Sequence, residues 1–300
     1  MELDWGDFKL ILALSRGGSV AGAGRLLGVD SSTISRRLGA MEQAIGACLV
    51  LRGGRDFSFT AEGMTAVSAA EAMEKIVFST TSSIHAAKTE IEGTVRISSV
   101  PSMVRLLMPL PLIVAEKHPK LSVELNAVTR MIDLAKGEAD IAIRMVRPTE
   151  IDLIARRAFE LGAAVYASKT YAARRQLPSS FEELSQHPLI QYVEPLLRVP
   201  MYRWMEDYAD KNAPATRVDG AEMAFSLVAS GTGLSVLNCY AGDSSSDLVR
   251  VFPEPVASAT GWIVYHEAAR NSARIRAVTE ILTEFFAERA ALLAGRSASI

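Results

Sequence analysis

The sequence predicts a small all-α unit, one long helix, and a two-lobed α/β unit. Three observations carry this. Between Trp5 and Ile45 the apolar residues recur at helical spacing, broken at Gly17-Gly18 and at Gly28. Residues 61–90 hold no proline and Gly63 as their one glycine. From Gly93 onward short β-branched runs alternate with helical stretches.

Composition sets the frame. The chain has 300 residues, 49% of them hydrophobic, enough for sizeable cores in two or three units. A net charge of -2 gives no bulk attraction to polyanions, so any nucleic-acid binding must be local. Cys48 and Cys239 are too few for a disulfide framework and fit a reducing compartment. The acidic start MELDWGD lacks the basic region of a signal peptide, and no apolar run is long enough to span a bilayer. A cytoplasmic protein with no membrane partner is expected.

In the first unit, Trp5, Phe8, Ile11, Leu12 and Leu14 mark a helix with one buried face. Gly17 and Gly18 end it, and Ser19 caps the next. Gly22 and Gly24 each cost a helix roughly 1 kcal/mol relative to alanine, so close approach of another helix is expected there. Leu26 and Leu27 supply the apolar anchor, Gly28 the sharp turn, and Val29 packs beneath it. A third helix follows with Ile34, Leu38, Met41 and Ile45 on one stripe.

The opposite face of that third helix begins Ser31, Ser32, Ser35, Arg36. Small hydroxyls let a helix end sit deep in a DNA major groove, and its N-terminal amides favour phosphate. Arg36 is long enough to fork onto guanine O6 and N7. Arg37 lies round the helix, where phosphate or a carboxylate is its natural partner. The run Leu49 to Thr60 alternates about Gly53-Gly54 as a hairpin wing does, which sets Arg52 and Arg55 beside backbone phosphates. Thr60 caps the next helix. Seven basic residues (Lys9, Arg16, Arg25, Arg36, Arg37, Arg52, Arg55) face six acidic ones (Glu2, Asp4, Asp7, Asp30, Glu42, Asp56). Such a head is a weak polyelectrolyte binder, and it needs two copies and specific contacts. The competing reading is a generic helical hairpin with solvated arginines.

At these residues the sequence resembles the LysR-type transcriptional regulators. Ile11 to Ser19 resembles the family's first helix and Gly-Ser turn, and Leu27-Gly28-Val29 its tight turn. Thr33-Ile34-Ser35-Arg36-Arg37-Leu38 resembles its recognition helix, and Met41-Glu42, Ile45-Gly46 and Leu49 to Arg52 its "LE…LG…LFxR" tail. Thr60 to Gly63 resembles the start of its linker helix. Looser similarity runs to the C-terminus. The resemblance implies a winged helix-turn-helix over residues 1–62, a dimerisation helix over 63–91 and an effector domain over 92–300. It implies a double-stranded DNA operator contacted by Ser31, Ser32, Thr33, Ser35, Arg36, Arg37, Arg52 and Arg55. A homodimer or homotetramer is the implied assembly, with RNA polymerase as a possible further partner. The family usually has alanine in place of Gly22 and Gly24, and often Ser-Gln-Pro or Ser-Gln-Ser in place of Asp30-Ser31-Ser32. Asp30 beside phosphate is repulsive unless it caps the helix, and the cap is the reading preferred here.

Met64, Val67, Met73, Ile76, Val77, Ile84 and Ile91 are spaced for one long amphipathic helix, with Glu92-Gly93 as the hinge beyond it. Thr94 to Val100, Leu121 to Leu125 and Ala139 to Arg144 then read as strands. Pro101 opens a helix through about Glu116, kinked at Pro111. Strand, helix, strand, helix, strand argues for a parallel sheet. A second series has strands at Gly162 to Ala167, Leu189 to Tyr192 and Leu234 to Leu237, with helices from Lys169 and from Ala221 to Ser230. The last helix runs from about Ser272 to Leu293. Two lobes with a cleft fit this, like periplasmic solute-binding proteins: lobe I about 92–163 and 265–300, lobe II about 164–264. The family's effector domain is of that kind, and Ala139 to Arg144, Gly231 to Leu234 and Trp262 to His266 resemble parts of it.

Ligands of open α/β sheets sit beyond the carboxyl ends of strands. That points to Ser98, Ser99 and Ser102 at a helix start opened by Pro101, then to Thr129 and Arg130. Ser102 also falls where the resemblance implies an effector contact. Arg144 and Arg147 suit a carboxylate, and Glu194, Thr232 and Asn238 are the candidates from the other lobe. A small anionic organic effector is expected. Against it, Ser102 reads equally as a helix-start residue and Arg144 as the partner of a structural carboxylate.

Enzymatic signals are missing. His85, His118, His187 and His266 are scattered without ligand spacing, and no CxxC, HExxH, GxSxG elbow or P-loop occurs. No cofactor is expected. Cys239 reads as an inert thiol, since no second cysteine stands near it in sequence. The other class to weigh is a cytosolic solute-binding protein without DNA binding, against which the Ser31 to Arg37 face argues.

Overall fold

The computed structural model describes residues 3–51, 57–86, 90–128, 130, 132–194, 196–209 and 216–296. The chain divides into two compact units, Met1–Ser82 and Ser83–Ile300. Arg52, Arg55 and Thr129 lie outside the described residues.

In the first unit, α1 (Trp5–Gly17), α2 (Val20–Leu27) and α3 (Ser31–Ile45) surround a core of Leu10, Ile11, Leu14, Ala23, Ile34, Leu38 and Met41. Local chemistry sets each boundary. Asp4 and Asp7 form a reciprocal capping box on α1. The Ser19 hydroxyl accepts from Gly22 N at 2.9 Å, and Gly18 and Gly28 close α1 and α2 at φ 59° and 68°. Three apolar expectations fail. Leu26 is 58% exposed and Val29 40%, so Leu27 and Ala23 anchor α2. Ile45 is 40% exposed too, and the stripe of α3 ends in the buried Glu42 instead.

Gly22 is required by the approach of α1. A Cβ there would fall 2.1 Å from the Gly17 carbonyl oxygen. Gly39, inside α3, faces open space. Gly22→Ala is therefore expected to destabilise the chain by about 2 kcal/mol, an overlap near 3 offset by about 1 of helix preference. Gly39→Ala should stabilise by up to about 1 kcal/mol. Urea titration of both variants checks the pair, and equal shifts of one sign would contradict the geometry.

Val50–Leu51 (β1) pairs antiparallel with Ser58–Phe59 (β2), the base of the expected wing. Thr60 caps α4 (Ala61–Ala86): its hydroxyl accepts from Gly63 N at 2.9 Å and donates to the Cys48 carbonyl at 2.7 Å. Val67 and Ala70 of α4 are buried in the core of the first unit, so the start of the long helix packs as part of the head.

The second unit opens with β3 (Gly93–Ser99). After it come a 3₁₀ turn at Pro101–Met103, then α5 (Val104–Leu107) and α6 (Leu110–Lys117). The expected single helix breaks at Met108-Pro109, two residues before Pro111, because Pro109 cannot donate back to α5. β4 (Leu121–Ala127) and β5 (Ile141–Arg144) follow with turns between them, where a helix was expected. β3 runs parallel to both. Asp140 clips β3 to β5, accepting from Arg96 N at 2.8 Å and pairing with the Arg96 guanidinium at 3.4 Å.

β6 (Leu153–Ser168) starts nine residues before its expected position at Gly162. Then come α7 (Lys169–Arg174), β7 (Ile190–Tyr192), α8 (Pro200–Arg203), β8 (Thr216–Val218), α9 (Ala221–Ala229), β9 (Ser235–Asn238), α10 (Cys239–Asp243) and β10 (Leu248–Arg250). β11 (Ala257–His266) returns antiparallel along β6, with its register shifting between Gly261 and Trp262. The chain closes with α11 (Ala273–Glu288) and α12 (Ala290–Leu293), split at Arg289.

The main sheet has the order β10-β6-β11-β5-β3-β4, with β9 also on β6 and β7 paired to β8. It is mixed rather than wholly parallel, because β6 and β11 run antiparallel to their neighbours. These two long strands pass through both lobes. Lobe I pairs β11 with β5, and lobe II pairs β6 with β9 and β10. Two contacts bridge the lobes beside them. Arg105 of α5 pairs with Glu222 of α9 at 2.6 Å and lies 4.3 Å from the Phe225 ring centroid. Tyr240 donates to the Ser102 carbonyl.

Candidate functional site

Two places concentrate unspent polar chemistry: the start of α3 and a cavity between the lobes. On α3, Asp30 is the N-cap. Its carboxylate accepts from Thr33 N at 2.8 Å, the Ser32 hydroxyl at 2.6 Å and the Thr33 hydroxyl at 3.2 Å. These bonds, Ser32 first, hold its pKa down at about 2. The charge of Asp30 is thus spent on the helix start. Ser31, Ser32, Ser35 and Arg36 are exposed and Thr33 is half-buried. Ile34 and Leu38 on the far side are 0% and 4% exposed, which fixes the rotation of the helix. Arg36 has no partner among the described residues. Arg37 turns the other way, 3.6 Å from the Asp7 carboxylate of α1, the second of its two expected roles.

Glu42 is a residue that its apolar surroundings concealed in the sequence. It is 8% exposed, and its Oε1 accepts from Leu49 N at 2.8 Å and Val50 N at 3.3 Å. That bond ties the end of α3 to the first strand of the wing.

The cavity holds about 410 Å³. Its floor is the carboxyl ends of β3 and β5, with Ser98, Ser99, Arg144 and Met145, and its side is Ser102, Val128, Arg130 and Ile132. The other lobe supplies Leu196, Val199, Met201 and Tyr202. Arg147, Thr149 and Glu150 stand at its edge. Most of the wall is apolar.

Ser99, Ser102, Arg130 and Arg144 of the expected set are brought together in this wall. Arg144 donates to the Ile132 carbonyl at 2.5 Å, and burial pushes its pKa down from the usual value. Arg130 pairs with Glu138 at 2.7 Å. Arg147 lies 5.4 Å from the Trp262 ring centroid. Glu194 and Thr232 stand outside the wall: Glu194 is exposed and pairs with Arg198 at 3.0 Å, and Thr232 is exposed and bonds Ser230. Asn238 is 3% exposed and sits one residue behind the cavity, accepting from the Tyr202 hydroxyl at 3.2 Å. The short 3₁₀ turn at Pro101 replaces the long helix start expected there, so any anion-binding dipole at Ser102 is weak. The lobe II wall went unread because residues 196–202 follow no simple period.

The model of the bacterial regulatory helix-turn-helix protein, lysR family, matches residues 5–64. That of the LysR substrate binding domain matches residues 88–287. This chain belongs to the LysR family of transcriptional regulators. Relatives agree along its length. The HTH-type transcriptional regulator CrgA of Neisseria meningitidis serogroup C (strain 8013) is 25% identical over 294 residues, 95% of this chain and 97% of its own. The HTH-type transcriptional regulator DmlR of Escherichia coli (strain K12) is 25% identical, over 94% of each chain. Among solved structures, the full-length Vibrio cholerae virulence activator AphB shares the fold with a TM-score of 0.62, at 20% identity, covering 95% of this chain and 100% of AphB. The LysR-type chain thus joins a DNA-binding head to an effector-binding domain, and the solute-binding alternative is not favoured. Among its described residues no helix is long and apolar enough to cross a membrane.

Proposed function

We propose that this LysR-type regulator reads an operator through the start of α3 and answers to a small organic anion in the inter-lobe cavity. The observation that carries the reading is the α3 surface, where Ser31, Ser32, Ser35 and Arg36, the last without a partner among the described residues, face solvent on a helix locked by its buried stripe. Arg36 is assigned to a base edge. Ser31, Ser32, Thr33 and Ser35 line the groove, Arg37 braces α3 on α1, and Arg52 and Arg55 of the wing meet phosphates. The head over residues 1–62, the linker over 63–91 and the sensor over 92–300 divide the labour.

Two copies are needed to bind well. The supporting observation is the exposed apolar set Met64, Met73, Ile76 and Val77 on α4, with exposures of 53%, 38%, 64% and 45%. A homodimer through α4, or a homotetramer of two such pairs, is the assembly proposed, with RNA polymerase as a further contact at the promoter. The regulator works in the cytoplasm and catalyses nothing.

For the effector, the cavity has the size of an ordinary ligand site. Its apolar wall suits an apolar body, and Arg144 and Arg147 suit a carboxylate. Ser99, Ser102, Thr129 and Arg130 are assigned to the same ligand, with Asn238 acting through Tyr202. Closure around the ligand would reset the angle of paired heads. The test is footprinting and DNA bending on the operator, with a panel of organic acids and matched neutral amides. An acid should alter footprint or bend, and Arg144→Gln should weaken it about 10–150-fold, the value of a hydrogen bond to a charged group. A ligand response confined to neutral compounds, or no response at all, would contradict it.

A further inference from the structure

A second concavity, of about 200 Å³, lies on lobe I and shares no wall residue with the inter-lobe cavity. β6 contributes Arg156, β11 contributes Tyr265, and the approach to α11 and its first turn contribute Arg270 and Arg276. All three guanidiniums belong to exposed residues. None pairs with a carboxylate among the described residues, although Arg96, Arg105, Arg130, Arg157 and Arg250 of the same unit all do. Arg156 lies 5.9 Å from the Tyr265 ring centroid. Glu280 is the one carboxylate in the wall, leaving a surplus of positive charge.

Tyr265 supplies an independent observation. The residue is 4% exposed, and its hydroxyl has no hydrogen-bond partner among the described residues. The ring is packed, while the hydroxyl itself is open to solvent. Here the residue lines the concavity, so the hydroxyl is a donor held ready beside three guanidiniums.

We infer that this concavity binds a small dianion, a phosphate group or a short dicarboxylate, separately from the effector. Guanidinium forks match the paired oxygens of either. The site's position gives the ligand a consequence. Tyr265 pairs in register with Ile154, and Arg156 with Ile263, on the two strands that pass between the lobes. An occupant ties those strands to the start of α11 and so stiffens the route along which the lobes move.

The experiment is calorimetric titration of the full-length protein with inorganic phosphate, sulfate and succinate, against chloride at matched ionic strength. Saturable binding of at least one dianion is expected. It should weaken about tenfold or more in Arg270→Gln/Arg276→Gln, the loss of charge-assisted hydrogen bonds, and measurably in Tyr265→Phe, which keeps the ring. Arg157→Gln, an exposed arginine of the same strand outside this wall, should bind as wild type. Preference for phosphate and sulfate would name a tetrahedral oxyanion, and preference for succinate a dicarboxylate. No saturable binding, or binding lost in Arg157→Gln and kept in the Arg270/Arg276 variant, would overturn the assignment. DNA binding does not enter the readout, so its failure would leave this result standing.

Discussion

Asp243→Ala should cost the sensor unit about 3 kcal/mol, the usual scale for leaving one member of a buried pair alone. The side chains of Arg250 and Asp243 are 13% and 8% exposed and bond at 2.8 and 2.5 Å. Tyr166 donates to the same carboxylate at 2.6 Å, and Arg250 also reaches the carbonyls of Pro253 and Gly295 at 2.9 Å. This network fastens α10, β10 and β6 to the chain after α12. Asp243 holds the Arg250 pKa above its ordinary value, and burial first, then Cys239 and Asp243, raise that of the Tyr166 phenol. Removing the carboxylate strands a guanidinium and a phenol together. In the full-length protein, the thermal transition of the larger unit should fall by roughly 6–12 °C. Asp243→Asn keeps an acceptor and should lose less. A shift under about 1 °C for alanine, a fraction of a kcal/mol, would show that the network carries no stability. The adjacent Cys239 is buried, and burial pushes its thiol up to about 11, which keeps it protonated and unreactive at neutral pH.

Glu42→Ala should destabilise the head by about 2–4 kcal/mol, because it deprives two buried backbone amides of a charged acceptor. Leu49 and Val50 are 1% and 7% exposed, so water cannot readily replace the carboxylate. The wing strand starts at Val50, and the same loss should loosen the wing and lower operator affinity at a temperature where the head is still folded. Glu42→Gln retains an Oε1 acceptor and should recover most of both effects. Equal losses in glutamine and alanine would place the value of Glu42 in its charge rather than in the two amides. Denaturant titration followed by DNA binding of the folded fraction separates these outcomes.

Much of the head was legible because helix ends announce themselves locally. Asp30, Ser19, Thr60, Gly18 and Gly28 act within a few residues of where they stand, and the structure shows each in the capping or turn-closing role read from the sequence. What periodicity could not supply was the cover over a face. Leu26, Val29 and Ile45 fit an apolar stripe, yet no element among the described residues of the head covers them. The start of β6 was missed for a related reason. Residues 153–160 mix Arg156, Arg157 and Glu160 with apolar residues, and they become a strand by pairing with β11 about a hundred residues later. In the cavity, the strand-end rule reached Ser99, Ser102, Arg130 and Arg144 through β3, β4 and β5. It had no purchase on Leu196 to Tyr202, an irregular stretch that closes the far wall. Asn238, chosen for its polarity, proves to hold Tyr202 from behind.

The most direct test of the account is fluorescence anisotropy on DNA from the gene's own upstream region. Wild type and Arg36→Ala would be compared across a salt series, with scrambled DNA as the reference. Wild type should prefer the upstream DNA, and Arg36→Ala should lose about 1–3 kcal/mol of that preference while keeping its salt-dependent background. Preferential binding that Arg36→Ala leaves unchanged, in a protein that is demonstrably folded, would contradict the assignment of the exposed α3 face as the reading surface.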